Sequence, residues 1–145
     1  LPANVCTPYH ATGDVSFRAG AAITGKRFVA PSANRTGGPA LSTNLENVYV
    51  MSHAAANGAI AGVAKYDVAQ DKRGSVYGTP GAIVPVTADG VIAAGEEIIV
   101  GTDGKAKKWT APSLSGNAET LSLPVKVGIA MTGAADGADA QIKLY

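Results

Sequence analysis

A chain of 145 residues and 14.5 kDa has room for one domain and little more. Its charged share is 16%, against a usual share of about 25%, and its hydrophobic share is 46%. It is therefore too apolar for a disordered tail. No stretch approaches the roughly 20 apolar residues of a spanning helix. A net charge of +1 argues against a nucleic-acid binder with a broad basic face, and a single cysteine, Cys6, excludes an internal disulfide framework and a multi-cysteine metal site. Few charges among many small residues point to a surface partly covered by a partner. Glycine and proline, 18 and 8 residues, punctuate the chain too often for long helices.

Taken in chain order, residues 1–12 read as an extended arm, because Pro2 and Pro8 exclude a helix. Leu1, Val5, Cys6 and Tyr9 give this arm apolar side chains suited to packing on something. Nothing in it has the basic start and apolar core of a secretory signal. Asp14–Arg18 alternates, with Val15 and Phe17 on one face. Arg27–Ala30 is a strand expected to stop at Pro31. Ser32–Asn44 is a polar loop of contact-making length that carries Arg35 and Leu41. A short helix within Ser42–Ala56 competes with a strand from Asn47, and the β-branched and aromatic run Val48-Tyr49-Val50 favours the strand. Ala59–Ala64 reads as a strand continued by Tyr66 and Val68, and Gln70–Gly74 as a charged turn.

In the second half, Ala82–Val86 is an apolar run that Pro85 marks as an edge or a broken strand. Asp89-Gly90 and Ala94-Gly95 are turns. Glu97–Gly101 pairs through Asp103-Gly104 with Lys105–Thr110. Ala111–Ser122 is a second polar loop. Val125–Met131 alternates, Ala134–Asp139 turns, and Gln141–Tyr145 is the last strand. Such closely spaced short strands predict an all-β fold, a small barrel or sandwich of the β-tulip kind, over residues 13–145.

No chemical site assembles along the sequence. His10 and His53 have no ligand partners at metal spacing. Cys6 follows no nucleophile signature and reads as a small hydrophobe in a contact. Glu96 and Glu97 are neighbours, so in a strand they face opposite ways. Asp89, Asp103, Asp136 and Asp139 read as turn formers. Lys105, Lys107 and Lys108 beside Trp109 read as a solvated hairpin rim before they read as a binding patch. Split at Gly74, the halves carry +3 (seven basic, four acidic) and −2 (five basic, seven acidic), a balance that suits head-to-tail contacts between like subunits.

Several phrases in order resemble the capsid decoration (cement) proteins of tailed bacteriophages. They are Gly20-Ala21-Ala22-Ile23 with Lys26-Arg27-Phe28-Val29, then Ile60–Ala64 with Tyr66-Asp67-Val68. Val84–Lys105 follows, with Ala93-Ala94-Gly95-Glu96 and Ile98-Ile99-Val100, and then Val127–Ala130 with Ala140–Leu144. The resemblance implies a virion protein on the outer surface of the mature head, made in the host cytoplasm. It implies a homotrimer at three-fold or quasi-three-fold sites that binds the major capsid protein and cements neighbouring copies against packaged DNA. It implies no catalysis, no cofactor, no metal, no nucleic-acid partner and no membrane. The expected capsid contacts are Leu1, Val5 and Tyr9 in the arm and Arg35 and Leu41 in the loop. Three other readings stay open on the residues. One is another virion module (tail tube, spike or adhesin). Another is a biotinyl or lipoyl carrier with Lys105 at its hairpin tip. The third is an enzyme assembled from distant loops.

Overall fold

The structure, a computed structural model, describes residues 4–6, 14–33, 49–112 and 123–145. Among them β1 (Asp14–Ala19), β2 (Phe28–Ala33), β3 (Tyr49–His53), β4 (Gly62–Ala64) and β5 (Arg73–Tyr77) close into a barrel. Its strand order is β1-β3-β2-β4-β5, and β5 returns to pair with β1. Only β1 and β3 run parallel. A second five-stranded sheet has the order β6-β10-β9-β7-β8. Its strands are β6 (Ile83–Thr87), β7 (Glu97–Val100), β8 (Ala106–Lys108), β9 (Gly128–Ala130) and β10 (Asp139–Leu144). The all-β barrel expected from the sequence is thus present.

Strand periodicity explains how the two units join. Neighbouring residues on a strand face opposite ways. On β2, Val29 points into the barrel with Phe17, Met51, Ala64 and Val76, while Phe28 points out of it. On β4, Ala64 points in and Val63 points out, and Phe28 and Val63 are register partners. Both outward residues are fully buried among Val84, Val86, Ile98 and Ile142 of the second sheet. One apolar core therefore runs from the barrel wall into the sheet.

Several sequence expectations need correction. Arg73–Tyr77, which closes the barrel, is a strand where the sequence predicts the end of a charged turn; its exposed Arg73 and buried Gly74 hide the alternation. The strand at Ala59–Ala64 is confined to Gly62–Ala64, and Val68 instead makes an isolated bridge to Ile23. β2 does not stop at Pro31 but continues to Ala33 through a register shift. Beyond Val29 it pairs only with β3, so a missing N–H is tolerated there. Of the two readings of Pro85, an edge or a broken strand, the structure has the edge, because β6 is an edge strand.

Candidate functional site

The predicted contact residues fall in two groups. Leu1, Tyr9, Arg35 and Leu41 lie outside the described residues, as does His10. Val5 is described and is 51% exposed. Its neighbours are held tightly. Asn4 Nδ2 donates to both Asp67 carboxylate oxygens, at 2.9 and 3.1 Å, and Asp67 also accepts the Gly25 N–H at 2.9 Å. The Cys6 N–H donates to the Lys65 carbonyl, and its thiol reaches the Pro85 carbonyl at 3.7 Å. Cys6 is buried in the seam between barrel and sheet, as the small hydrophobe its sequence setting suggested. Burial pushes its thiol up to about 12, which suppresses the nucleophilic thiolate. Residues 4–6 thus form a strap across the seam.

Several barrel strands begin or end at one pole. β1 begins, β2 ends and β3 begins there, through the registers Phe17↔Tyr49 and Ala33↔Val50. β5 also ends there, with Tyr77 opposite Asp14. Val15 and Tyr49 sit at that end, 38% and 56% exposed, although their strand phase matches that of buried Phe17 and Met51. The opposite pole is covered by the β7–β8 hairpin tip. Gly104 is buried there at φ +72, and an added side chain would strike the Phe28 carbonyl oxygen. Arg27 Nη1 donates to the Asp103 carbonyl at 3.0 Å.

Among the described residues the hydrogen-bonded acidic groups and His53 serve local structure and do not converge. Gln141 Oε1 and Arg27 Nε are buried without a hydrogen-bond partner. His53 Nε2 accepts the Thr24 N–H at 2.9 Å, and burial followed by the nearby Arg27 charge lowers its pKa. Asp89 accepts the Thr102 N–H at 2.8 Å, which holds its carboxyl below the usual range. Asp136 accepts the Gly90 N–H, and Glu96 accepts the Ala93 N–H. Glu97 takes Lys126 at 3.1 Å and the Tyr145 hydroxyl at 3.0 Å, so the adjacent glutamates have separate tasks. Lys126, not the hairpin lysines, stacks on Trp109, 4.0 Å from the ring centre, while Lys107 and Lys108 are exposed. Lys105 follows a tip docked on the barrel, unlike the free tip a carrier lysine needs. Among the described residues no group of three His, Cys, Asp or Glu could hold a metal, and no helix is long and apolar enough to cross a membrane.

Exposed apolar residues outside the predicted set were missed. A groove of about 250 Å³ is lined by Ile83, Met131, Thr132 and Gln141 on β6, β10 and the turn after β9. Met131 is 49% exposed and Val91 67% exposed, and each adjoins a turn. Their apolar character was visible in the sequence, but it reads equally well as the end of a buried strand.

No protein-family model matches the chain, and no curated protein matches it. A solved structure does. The chain is similar to the N base of the head fiber gp8.5 of bacteriophage phi29, with a TM-score of 0.67 and 24% identity over 92% of this chain and 93% of that one. The two share a fold across nearly their whole lengths.

Proposed function

We propose that this chain is a structural protein of a bacteriophage head, bound to the outside of the shell. The observation that carries this is the fold shared from end to end with a phi29 head fiber base. It supports the virion role that the sequence phrases imply. The geometry is compatible with assembly: exposed apolar residues gather at turns and at one barrel pole, and the hydrogen-bonded acidic groups and His53 serve local structure. In the finer reading the chain is a homotrimer that cements copies of the major capsid protein at three-fold or quasi-three-fold sites. Three copies of a modest contact then act together. The fiber-base neighbour favours a variant in which the same domain anchors a projecting appendage. No catalytic role belongs to either reading.

The barrel pole at Val15 and Tyr49 is the face proposed to meet the shell, with Leu1, Val5, Tyr9, Arg35 and Leu41 as further contacts. Co-sedimentation with expanded and unexpanded shells that lack the protein tests the reading. Saturable binding to expanded shells is expected, and absence of binding to either form would sink it. Because Cys6 fills the seam, deleting residues 1–10 would remove core as well as arm. Tyr49→Asp and Val5→Asp are cleaner probes of the contact.

A further inference from the structure

Two pairs of turns form patches of small side chains that bear opposite charge. The first joins the turn between β6 and β7 to the turn between β9 and β10. Ile92 and Ala134 exchange both backbone hydrogen bonds, at 2.9 and 2.8 Å, and the Gly95 N–H donates to the Ala130 carbonyl at 2.7 Å. Ala93, Ala94, Ala135 and Ala138 are exposed on this patch, beside Val91 and Met131. Its charges are Glu96 and Asp136, both fixed by backbone N–H groups. Asp139, next along the chain, is neutralised by Lys26 at 2.6 Å.

The second patch joins the residues after β1 to those before β5. The Ala19 N–H donates to the Lys72 carbonyl at 2.9 Å, and the Asp71 N–H donates to the Ala19 carbonyl at 2.8 Å. Gly20, Ala21, Ala22 and Ala69 are the small residues here, and all four are exposed. Arg18 and Arg73 are direct cross-strand partners, with Lys72 beside them. Asp71 offsets one charge, at 3.7 Å from Arg18. Like charges directly opposite each other on paired strands are unfavourable. Within the molecule Asp71 offsets part of this repulsion, and an acidic surface set against the patch would offset the rest.

We infer that these two patches are the complementary halves of a head-to-tail interface between copies of this chain. The alanine surface of one copy, with Glu96 and Asp136, lies on the glycine–alanine surface of the next, with Arg18, Lys72 and Arg73. Small side chains allow close backbone approach, and the opposite charges orient the encounter. Each copy uses one patch of each kind, so the interface is heterologous, and it forms a ring where the rotation between copies closes. The inference deepens the homotrimer part of the function proposed above and rests on that part.

Sedimentation velocity of the full chain over a concentration series tests it, with Ala94→Lys, Arg73→Glu and the double variant. Both positions are exposed, and circular dichroism checks each fold. The wild type is expected to self-associate. Each single variant should raise the dissociation constant about tenfold or more. The double variant should recover most of the loss, because the introduced lysine of one copy then faces the introduced glutamate of the next. Lys108→Glu, on the β8 rim, should leave association unchanged. A monomeric wild type, unchanged association in the single variants, or no recovery in the double variant would overturn the inference. Shell binding, measured separately, distinguishes the two readings. If a monomeric wild type binds shells and Ala94→Lys does not, the alanine patch faces the coat protein, and the virion role stands without this interface.

Discussion

The barrel and the second sheet protect their edges by different means. The barrel has no edge, because β5 returns to β1 through five register pairs. The sheet has two edges and covers both. On β6, Pro85 offers no N–H, its carbonyl takes the Cys6 thiol, and the Thr87 N–H donates to the Lys26 carbonyl at 3.0 Å. On the far side β8 is only three residues long and carries Lys107 and Lys108, while the Asp89 N–H caps its Ala106 carbonyl at 2.7 Å. Short, basic and proline-bearing edges resist strand addition. Among the described residues, side-chain surfaces and turns are therefore more open to contact than strand edges. The comparison also shows that the sheet depends on the barrel side of the molecule: its β6 edge is sealed by residues of the strap and of the segment before β2.

Phe28→Ala breaks that dependence most directly. Phe28 is fully buried and reaches from the barrel wall into the sheet core. Its truncation should cost about 3–5 kcal/mol. Barrel and sheet should still unfold together, with Trp109 fluorescence, which reports the sheet, and far-ultraviolet dichroism tracing one shifted urea transition. A Trp109 transition unmoved from the wild type would mean that the sheet stands without the barrel.

The same contrast explains what the sequence reveals. In the sheet only β7–β8 and β9–β10 join chain neighbours, while β6 pairs with β10 and β7 with β9 over long separations. Its strands can still be read because Asp89-Gly90, Ala94-Gly95 and Asp103-Gly104 bound them in the chain. β7, β8 and β10 were therefore legible. The barrel depends on distant pairings, such as Phe17 with Tyr49 in parallel and Phe17 with Gly74. No local pattern announces these, and β5 is hidden by its charged start. The apolar content of the arm was legible, but the packing of Cys6 against Lys65 and Pro85 was not, because it depends on residues 59 and 79 positions away. Of the predicted contacts only Val5 can be placed. The exposed Met131 and Val91 were hidden because exposure of an apolar residue leaves no mark on composition.

Gly25→Ala sharpens the role of the strap. A methyl group there would strike the Asn4 carbonyl and lie 2.8 Å from the Tyr66 Cα. The strap should lift, at a cost of about 1–3 kcal/mol. Cys6 should then react with a thiol reagent under conditions where the wild type is protected. Asp67→Ala, which removes the Asn4 and Gly25 bonds without adding bulk, should give the same change more weakly. A thiol that stays protected in both variants would show that the strap is held by Cys6 alone.

Lys26→Met tests the seam at its polar margin. Lys26 reaches Asp139 at 2.6 Å, with side chains 21% and 33% exposed, and the Thr87 hydroxyl donates to the same carboxylate at 3.0 Å. A partly exposed pair of this kind is worth about 1 kcal/mol or less. The loss should shrink as salt rises, because screening weakens the wild-type pair. A loss several times larger and independent of salt would place the energy in the packing of the lysine stem.

The smallest expected effect concerns His53, at the barrel pole under the hairpin tip. Its ring is partly buried beside Arg27 and accepts the Thr24 N–H through Nε2, so the neutral form is favoured in the folded state. The unfolded chain, with an ordinary imidazole, then binds a proton more readily than the folded one. Stability from this group is fully present above the unfolded pKa of about 6.5 and is lost as pH falls toward the lower folded value. His53→Gln keeps an acceptor but removes the titration. It should therefore flatten the fall in urea midpoint between neutral and mildly acidic pH, relative to wild type. Cys6 acts at the other end of the scale. Its thiol is raised to about 12, so its contribution is present below about pH 9 and is lost as pH rises toward 12. Cys6→Ala should remove that alkaline slope and leave the acid one in place. If both slopes persist in the two variants together, the pH dependence arises elsewhere, and neither the barrel pole nor the seam is where protonation acts on this fold.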